Sequence, residues 1–467
     1  MRFRSKLFCL LLCLTILLQV APLSVLAETD QPDISVTEGC HGIDAAVPFL
    51  GTTQLIENAD AVFLLESKTD TLMYAWNADK PIYPAGMVKI VTAIVAIENS
   101  NLTDAVTVKQ STLDLLSKSD RTSKLKADEV FTVEQLLHFL LMDGSNDAAV
   151  VLADHIAGSQ EAFVSMMNEY VANVGCVNTV ITNVHGFHNE QQVTTARDIA
   201  RIIDAAIENE DFKKIFGTTK YIMEATNLSE VRTIKTSNDL MAKGPYEDSR
   251  VTGGRTGTNY EGLRCVSSTA AEGDMELICV VMGSATEFNE NGIPLKIGGY
   301  AETSKLLDLG FEGFSTGQIL YENQALKQVP VQNGSSMVTL TPDKAISAVI
   351  PTKKEAGVLE YRYIDVDNAF TAPITKGQHM STLQIWYGGS CIATTELYAL
   401  NDVSVNYQQI ISNKKQGASV WSVLLVLILV AVAVMFAILY ILRIRNIKSA
   451  TRSRKAKKRI AANRRSR

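Results

Sequence analysis

From Gln416 to Leu442 the chain runs for 27 residues without a charge, as "QGASVWSVLLVLILVAVAVMFAILYIL". About 20 such residues are enough to cross a bilayer as a helix. Trp421 and Tyr440 sit near its two ends, where interfacial aromatics are favoured. A transmembrane helix over residues 417–442 is the expectation, with a buried core helix as the alternative. The next residues, 443–467, carry 12 Lys or Arg and no acid. The excess of basic residues in cytoplasmic segments makes this a basic cytoplasmic tail and puts the preceding domains outside the cell membrane, as a single-pass protein. Anionic lipid headgroups are the plain partner for such a tail. Nucleic acid is not expected, because a topogenic role already accounts for the charge.

The other end points the same way. "MRFRSKLFCLLLCLTILLQVAPLSVLA" has a basic start, an apolar run and a small-x-Ala ending. Residues 1–27 are expected to be a cleaved signal peptide, with an uncleaved anchor as the alternative. The overall net charge of −6 hides an asymmetry. Without the two termini, 29 basic residues face 50 acidic ones, so the outer part is near −21. Such a surface repels anionic polymers.

Five cysteines remain beyond the signal: Cys40, Cys176, Cys265, Cys279 and Cys391. An odd, sparse set is no disulfide framework. Cys265 and Cys279 lie on two expected strands, where a disulfide is one reading and two buried thiols the other.

Between the termini the pattern reads as an α+β fold. "AVFLLESKTDTLMYAWN" is a hairpin, two apolar runs around Lys68-Thr69-Asp70. Helical periodicity follows at about 86–99, in "FTVEQLLHFLLM" with Thr132 and Gln135 placed as a capping box, and in "DAAVVLADHIAG", "SQEAFVSMMNEYVANVG" and "TTARDIARIIDAAIEN". "GLRCVSSTA" and "MELICVVMG" read as strands, and "GGYAETSKLLDLGFEGF" as a last helix. Helices between an early hairpin and late strands suggest an antiparallel sheet with a helical cluster, over residues 28–314. Short strands separated by turn residues then suggest a small all-β domain over 315–408.

Three short stretches carry chemistry. In "YPAGMVKIVTAIVAIE", Lys89 falls in an otherwise apolar helix start, three residues after Gly86. A lysine there is either paired, depressed in pKa, or snorkelling to water. In "MDGSNDAAV", Ser145 and Asn146 stand at a helix N-terminus, where a cap is the simplest role. In "VTGGRTGTNYEGLRC", glycines bracket Arg255 and Thr256 just before a strand, as a glycine-rich turn or a backbone that a ligand approaches. "HGFH" sets His185 and His188 three apart, but no acidic or cysteine partner has zinc-like spacing, so no metal is expected. His138 and His155 read as structural, and Asp198 as a first-turn carboxylate.

The order of the three stretches matches Ser-x-x-Lys, Ser-x-Asn and Lys-Thr-Gly of penicillin-binding proteins. With "FTVEQLLHFLLMDGSNDAAVVLADHIAGS", "TNVHGFHNEQQVTTARDIARI" and "TAPITKGQHMSTLQIWYGGSCIATTELYALNDV" around them, the chain resembles the low-molecular-mass D-alanyl-D-alanine carboxypeptidases. The resemblance covers most of the outer part. It implies a penicillin-binding domain, a C-terminal β domain, no cofactor, and a peptidoglycan stem peptide ending in D-Ala-D-Ala as ligand, with wall-synthesis proteins as possible partners. It also assigns Lys89 as proton acceptor, Asn146 as a peptide contact, Arg255 as the carboxylate contact with Thr256, Gly257 and Thr258 beside it, and the N–H groups of Gly86 and Thr258 as oxyanion hole.

Three departures from the family pattern stand out. The nucleophile position is Gly86, and neither Tyr83 nor Thr92 is placed to replace its hydroxyl. The serine of Ser-x-Asn is Gly144, with Ser145 one position off. Lys-Thr-Gly is Arg255-Thr256-Gly257. The expectation is a catalytically impaired pseudoenzyme that binds stem peptides. The alternative is residual hydrolysis by water that Lys89 activates.

Overall fold

The computed structural model describes residues 42–45, 53–352, 359–364, 366 and 370–463; the expected signal peptide lies outside them. Two compact units are present. The first is Met1–Glu322 with Lys344–Ile364 and Ser381–Glu396, and the second is Asn323–Asp343, Asp365–Met380 and Leu397–Arg467.

The first unit is built on a five-stranded antiparallel sheet. The expected hairpin forms β1 (Ala61–Glu66) and β2 (Thr71–Trp76). Helices follow, among them α1 (Val88–Glu98), α2 (Val133–His138), α3 (Asn146–Ala157) and α4 (Gln160–Asn173). Then come α5 (Ala196–Ile207) and the strands β3 (Val251–Thr258), β4 (Arg264–Glu272) and β5 (Met275–Ser284). The helix α6 (Tyr300–Gly313) closes the run. The sheet order is β2-β1-β5-β4-β3, so the late strands extend the early hairpin and β3 is an edge.

Alternation along the strands divides the core. Phe63, Leu65, Cys265, Ile278 and Val280 face the helical cluster, together with nearly all of α1. Val62, Leu64, Cys279 and Val281 face the other way, against Leu306 and Leu307 of α6. This accounts for the free thiols: Cys265 and Cys279 occupy opposite faces of the sheet, and Cys176, Cys265 and Cys279 are all unbonded and buried. Cys391 does form a disulfide, a bond that the sparse cysteine set gave no reason to expect.

Local signals hold where the chain itself supplies the partner. Thr132 Oγ1 accepts from Gln135 N, and Gln135 Oε1 accepts from Thr132 N, completing the capping box of α2. Asp198 sits in the first turn of α5 and accepts from Asn178 N and Thr179 Oγ1. His138 is buried and stacks on Tyr221 with ring centroids 3.8 Å apart.

Further strand pairs join Phe314–Leu320 to Ile346–Pro351, and Glu360–Ile364 to His379–Tyr387. In the second unit Val338–Pro342 pairs with Lys327–Val329 and with Leu397–Ala399. The second unit ends in one helix, Tyr407–Asn463, of 57 residues. Its part Ser422–Arg454 is long and apolar enough to cross a membrane.

Candidate functional site

Gly86 and Lys89 come from the entry to α1. Pro84 leads into a single 3-10 turn, Ala85–Met87, that runs on into the helix. Ala85 is held at φ 49°, a left-handed conformation that costs a residue with a Cβ about 1–2 kcal/mol. Neighbouring segments fix it there. A Cβ on Gly186 would overlap the Ala85 carbonyl, and one on Gly257 would overlap the backbone N of Gly86. These glycines let three chain segments meet at one point.

Lys89 is 4 % exposed, and its Nζ donates to the His185 carbonyl. Burial holds its pKa well below the usual lysine range, with Arg255 and Arg121 adding to the effect. Burial, and then Lys89, push His185 down to about 4. The His185 carbonyl is the anchor of Lys89. No cluster able to hold a metal ion occurs among the described residues.

Gly144 and Asn146 come from the junction of α2 and α3. A five-residue π-helical turn, Phe139–Asp143, prolongs α2 and ends at Gly144, whose φ of 80° suits glycine. Ser145 then caps α3: its Oγ accepts from Ala148 N at 3.2 Å. It is fully buried in that role and does not line the cleft. Asn146 Nδ2 donates to Asp120 Oδ1 at 2.6 Å. Burial works against the Asp120 carboxylate, but hydrogen bonds from Asn146 and Ser117 outweigh it and keep its pKa below the usual value.

The glycine-rich segment is not a turn before a strand. It is the edge strand β3 itself, paired with β4 from Val251 to Thr258. Its glycines serve close packing: a Cβ on Gly254 would stand 2.5 Å from Asn238 Nδ2. Arg255 is buried as well. It is 5 % exposed and points into the molecule, where Nη1 donates to Leu141 O at 3.2 Å and to Ser237 Oγ at 3.4 Å. Its Nε is buried without a partner. Burial, and then Arg121, push its pKa down to about 10. Its Nη2 lies between the two glycines. A Cβ on Gly86 would stand 3.3 Å from Nη2, and one on Gly144 would overlap it.

All eight residues named from the sequence, Gly86, Lys89, Gly144, Asn146, Arg255, Thr256, Gly257 and Thr258, line one cleft of about 330 Å³. Arg121, His185, Ser237 and Arg264 join them there. Motif reasoning missed Arg121 and Ser237, since nothing in their own surroundings marks them, and passed over Arg264 at the end of the glycine-rich stretch. Among the described residues no acid lines the cleft, and four basic side chains do: Lys89, Arg121, Arg255 and Arg264. The nearby carboxylates have other partners: Asp143 accepts from Arg121 Nη2 and Ser123 Oγ, and Asp120 from Asn146. The two alternative hydroxyls lie elsewhere. Thr92 is buried and donates to Val184 O at 2.6 Å. Tyr83 packs edge-on against His188 and Tyr260, with centroids 4.7 and 5.2 Å apart, in a neighbouring pocket.

Comparison with known proteins follows the same outline. Residues 51–286 match the D-alanyl-D-alanine carboxypeptidase family, and residues 314–405 match the penicillin-binding protein 5 C-terminal domain. The chain is 30 % identical over 355 residues to D-alanyl-D-alanine carboxypeptidase DacA of Escherichia coli (strain K12), covering 74 % of this chain and 84 % of that protein. It is 28 % identical over 362 residues to D-alanyl-D-alanine carboxypeptidase DacF of Bacillus subtilis (strain 168), covering 75 % and 87 %. Penicillin-binding protein 5 of Haemophilus influenzae superposes with a TM-score of 0.61 at 27 % identity, over 76 % of this chain and all of that one. A family match over half the chain, with the three motif positions gathered in one cleft, makes this chain a member of the D-alanyl-D-alanine carboxypeptidase family.

Proposed function

We propose that this protein is a non-catalytic, membrane-anchored member of its family, which binds peptidoglycan stem peptides in the cleft without acyl transfer. The observation that carries the reading is the position of Arg255. Its guanidinium reaches the space beside both Gly86 and Gly144, so the loss of two hydroxyls and the change from lysine to arginine fit together as one rearrangement. A glycine offers no nucleophile, so no acyl-enzyme forms at that position. In serine proteases such as subtilisin, loss of the nucleophile costs about 10⁶-fold in kcat. Lys89 and Asn146 line the cleft, and its arginines suit a peptide carboxylate. In this reading residues 28–314 form the peptide-binding domain and 315–408 the β domain. The apolar helix is the anchor, and the basic tail lies in the cytoplasm.

One observation favours the alternative, a slow hydrolysis by water next to Lys89: burial favours the neutral amine, which is a base. Full-length protein in detergent, incubated with fluorescent penicillin and with a D-Ala-D-Ala peptide, separates the two. The expected result is no covalent adduct by mass spectrometry and no D-alanine release above a blank. An adduct, or release that vanishes in Lys89→Ala, overturns the proposal. Protease treatment of intact cells tests the topology: loss of the outer domains with survival of the tail is expected.

A further inference from the structure

Arg255 is an unusual ligand of nothing. It is 95 % buried by its 5 % exposure, its two hydrogen bonds both leave from Nη1, and Nε has no partner. Among the described residues neither it nor Lys89 has a carboxylate within ion-pair distance, and the closest acids are committed to Arg121, Ser123, Ser117 and Asn146. A buried cation left unpaired is costly. The free edge of this guanidinium, Nη2, is aimed at the gap between Gly86 and Gly144, in the floor of the cleft. That gap is where serine side chains would stand if either glycine carried one.

The position matters for which peptide fits. In a carboxypeptidase, the carbon beside the nucleophile is the carbonyl of the bond to be cut, a neutral amide. In a peptide from which the last residue has already been removed, the same carbon is a carboxylate. A serine hydroxyl at residue 86 would crowd the second oxygen of that carboxylate. Glycine leaves room for it, and Nη2 meets it with a charge.

Resting on the reading of a non-catalytic stem-peptide binder, we propose that the cleft is a reader of trimmed peptides: it takes the terminal carboxylate of a peptide ending in a single D-alanine, seated between Gly86 and Gly144 against Arg255 Nη2. An intact D-Ala-D-Ala end places a neutral amide in that gap, so Nη2 meets no charge there. The protein then acts after a carboxypeptidase reaction, on the product of that reaction, and not on its substrate.

The test measures binding of diacetyl-Lys-D-Ala and diacetyl-Lys-D-Ala-D-Ala to the full-length protein in detergent by calorimetry, each also as its C-terminal amide. A charge-assisted hydrogen bond to the seated carboxylate gives about tenfold or more tighter binding of the shorter peptide. Its amide is expected to lose that advantage. In Arg255→Gln, which removes an unpaired buried charge without changing the chain direction, the preference is expected to disappear while the melting temperature holds. Tighter binding of the longer peptide overturns the proposal and leaves the binder reading intact. Binding of neither peptide overturns both. A preference that survives in Arg255→Gln also overturns the proposal, because the carboxylate is then held elsewhere.

Discussion

Arg255 and Gly144 exclude each other's alternatives: a Cβ on Gly144 would overlap the Arg255 guanidinium. The backbone adds to this, since Gly144 stands at φ 80°. Gly144→Ser is therefore expected to destabilise the protein by about 1–3 kcal/mol, from strain at a left-handed position together with the clash. Thermal unfolding of the full-length protein measures it. The shorter side chain in Gly144→Ser/Arg255→Lys is expected to recover part of the loss. Equal melting temperatures for wild type and Gly144→Ser would show that the guanidinium moves aside freely.

Gly86 is the more forgiving position. A Cβ there would stand 3.0 Å from Thr256 O, 3.3 Å from Arg255 Nη2 and 3.3 Å from Gly257 Cα, and its φ is not left-handed. Gly86→Ser is expected to fold and to be labelled weakly by fluorescent penicillin, because Arg255 crowds the new hydroxyl. Adding Arg255→Lys frees Lys89 to act on it, and the labelling rate is expected to rise about tenfold or more, within the usual range for general base catalysis. A double variant no faster than Gly86→Ser would remove Arg255 as the obstacle.

Lys89 sets a dependence on alkaline pH. Its native pKa lies well below 10.5, with burial as the main cause. The unfolded chain keeps the proton up to the ordinary value, so unfolding takes one up and stability rises with pH across that window. Melting temperatures of wild type and Lys89→Met, compared at pH 7 and pH 10, are expected to move in the wild type's favour at the higher pH. A constant difference between them would count against a neutral Lys89.

His138 governs the acid side. Burial pushes it from 6.5 down to about 4, with Lys214 adding a smaller effect. The native ring stays neutral while the unfolded one charges, so this contribution is present above pH 6.5 and is lost as pH falls toward 4. In His138→Phe, which keeps the stacking surface for Tyr221, the fall in melting temperature between pH 7 and pH 4 is expected to be smaller than in wild type. The same slope in both would mean that other groups set the acid limb.

Much of this was legible in the sequence because the information was local. The hairpin, the capping box of Thr132 and Gln135, and the helix periods depend on residues a few positions apart. The three motif positions were legible through their order along the chain. The direction of Arg255 was not. A glycine-rich run reads as a turn, yet β4 pairs with it and makes it a strand, and that pairing turns Arg255 inward. His185 was visible, but its use of a backbone carbonyl to hold Lys89 leaves no mark in side-chain chemistry. Arg121 and Ser237 enter the cleft from distant segments, so only the tertiary fold brings them there.

Ala85 keeps its left-handed φ of 49° beside a residue with no side chain. The turn still presents position 86 to the cleft as a reactive group would need to be presented, and the glycines at 186 and 257 still hold it. On the reading proposed above, the absence of acyl transfer is then a matter of the side chains carried on this turn. A hydroxyl at position 86 needs only side-chain changes there and at 255, whereas one at position 144, with its φ of 80°, also needs the main chain to shift.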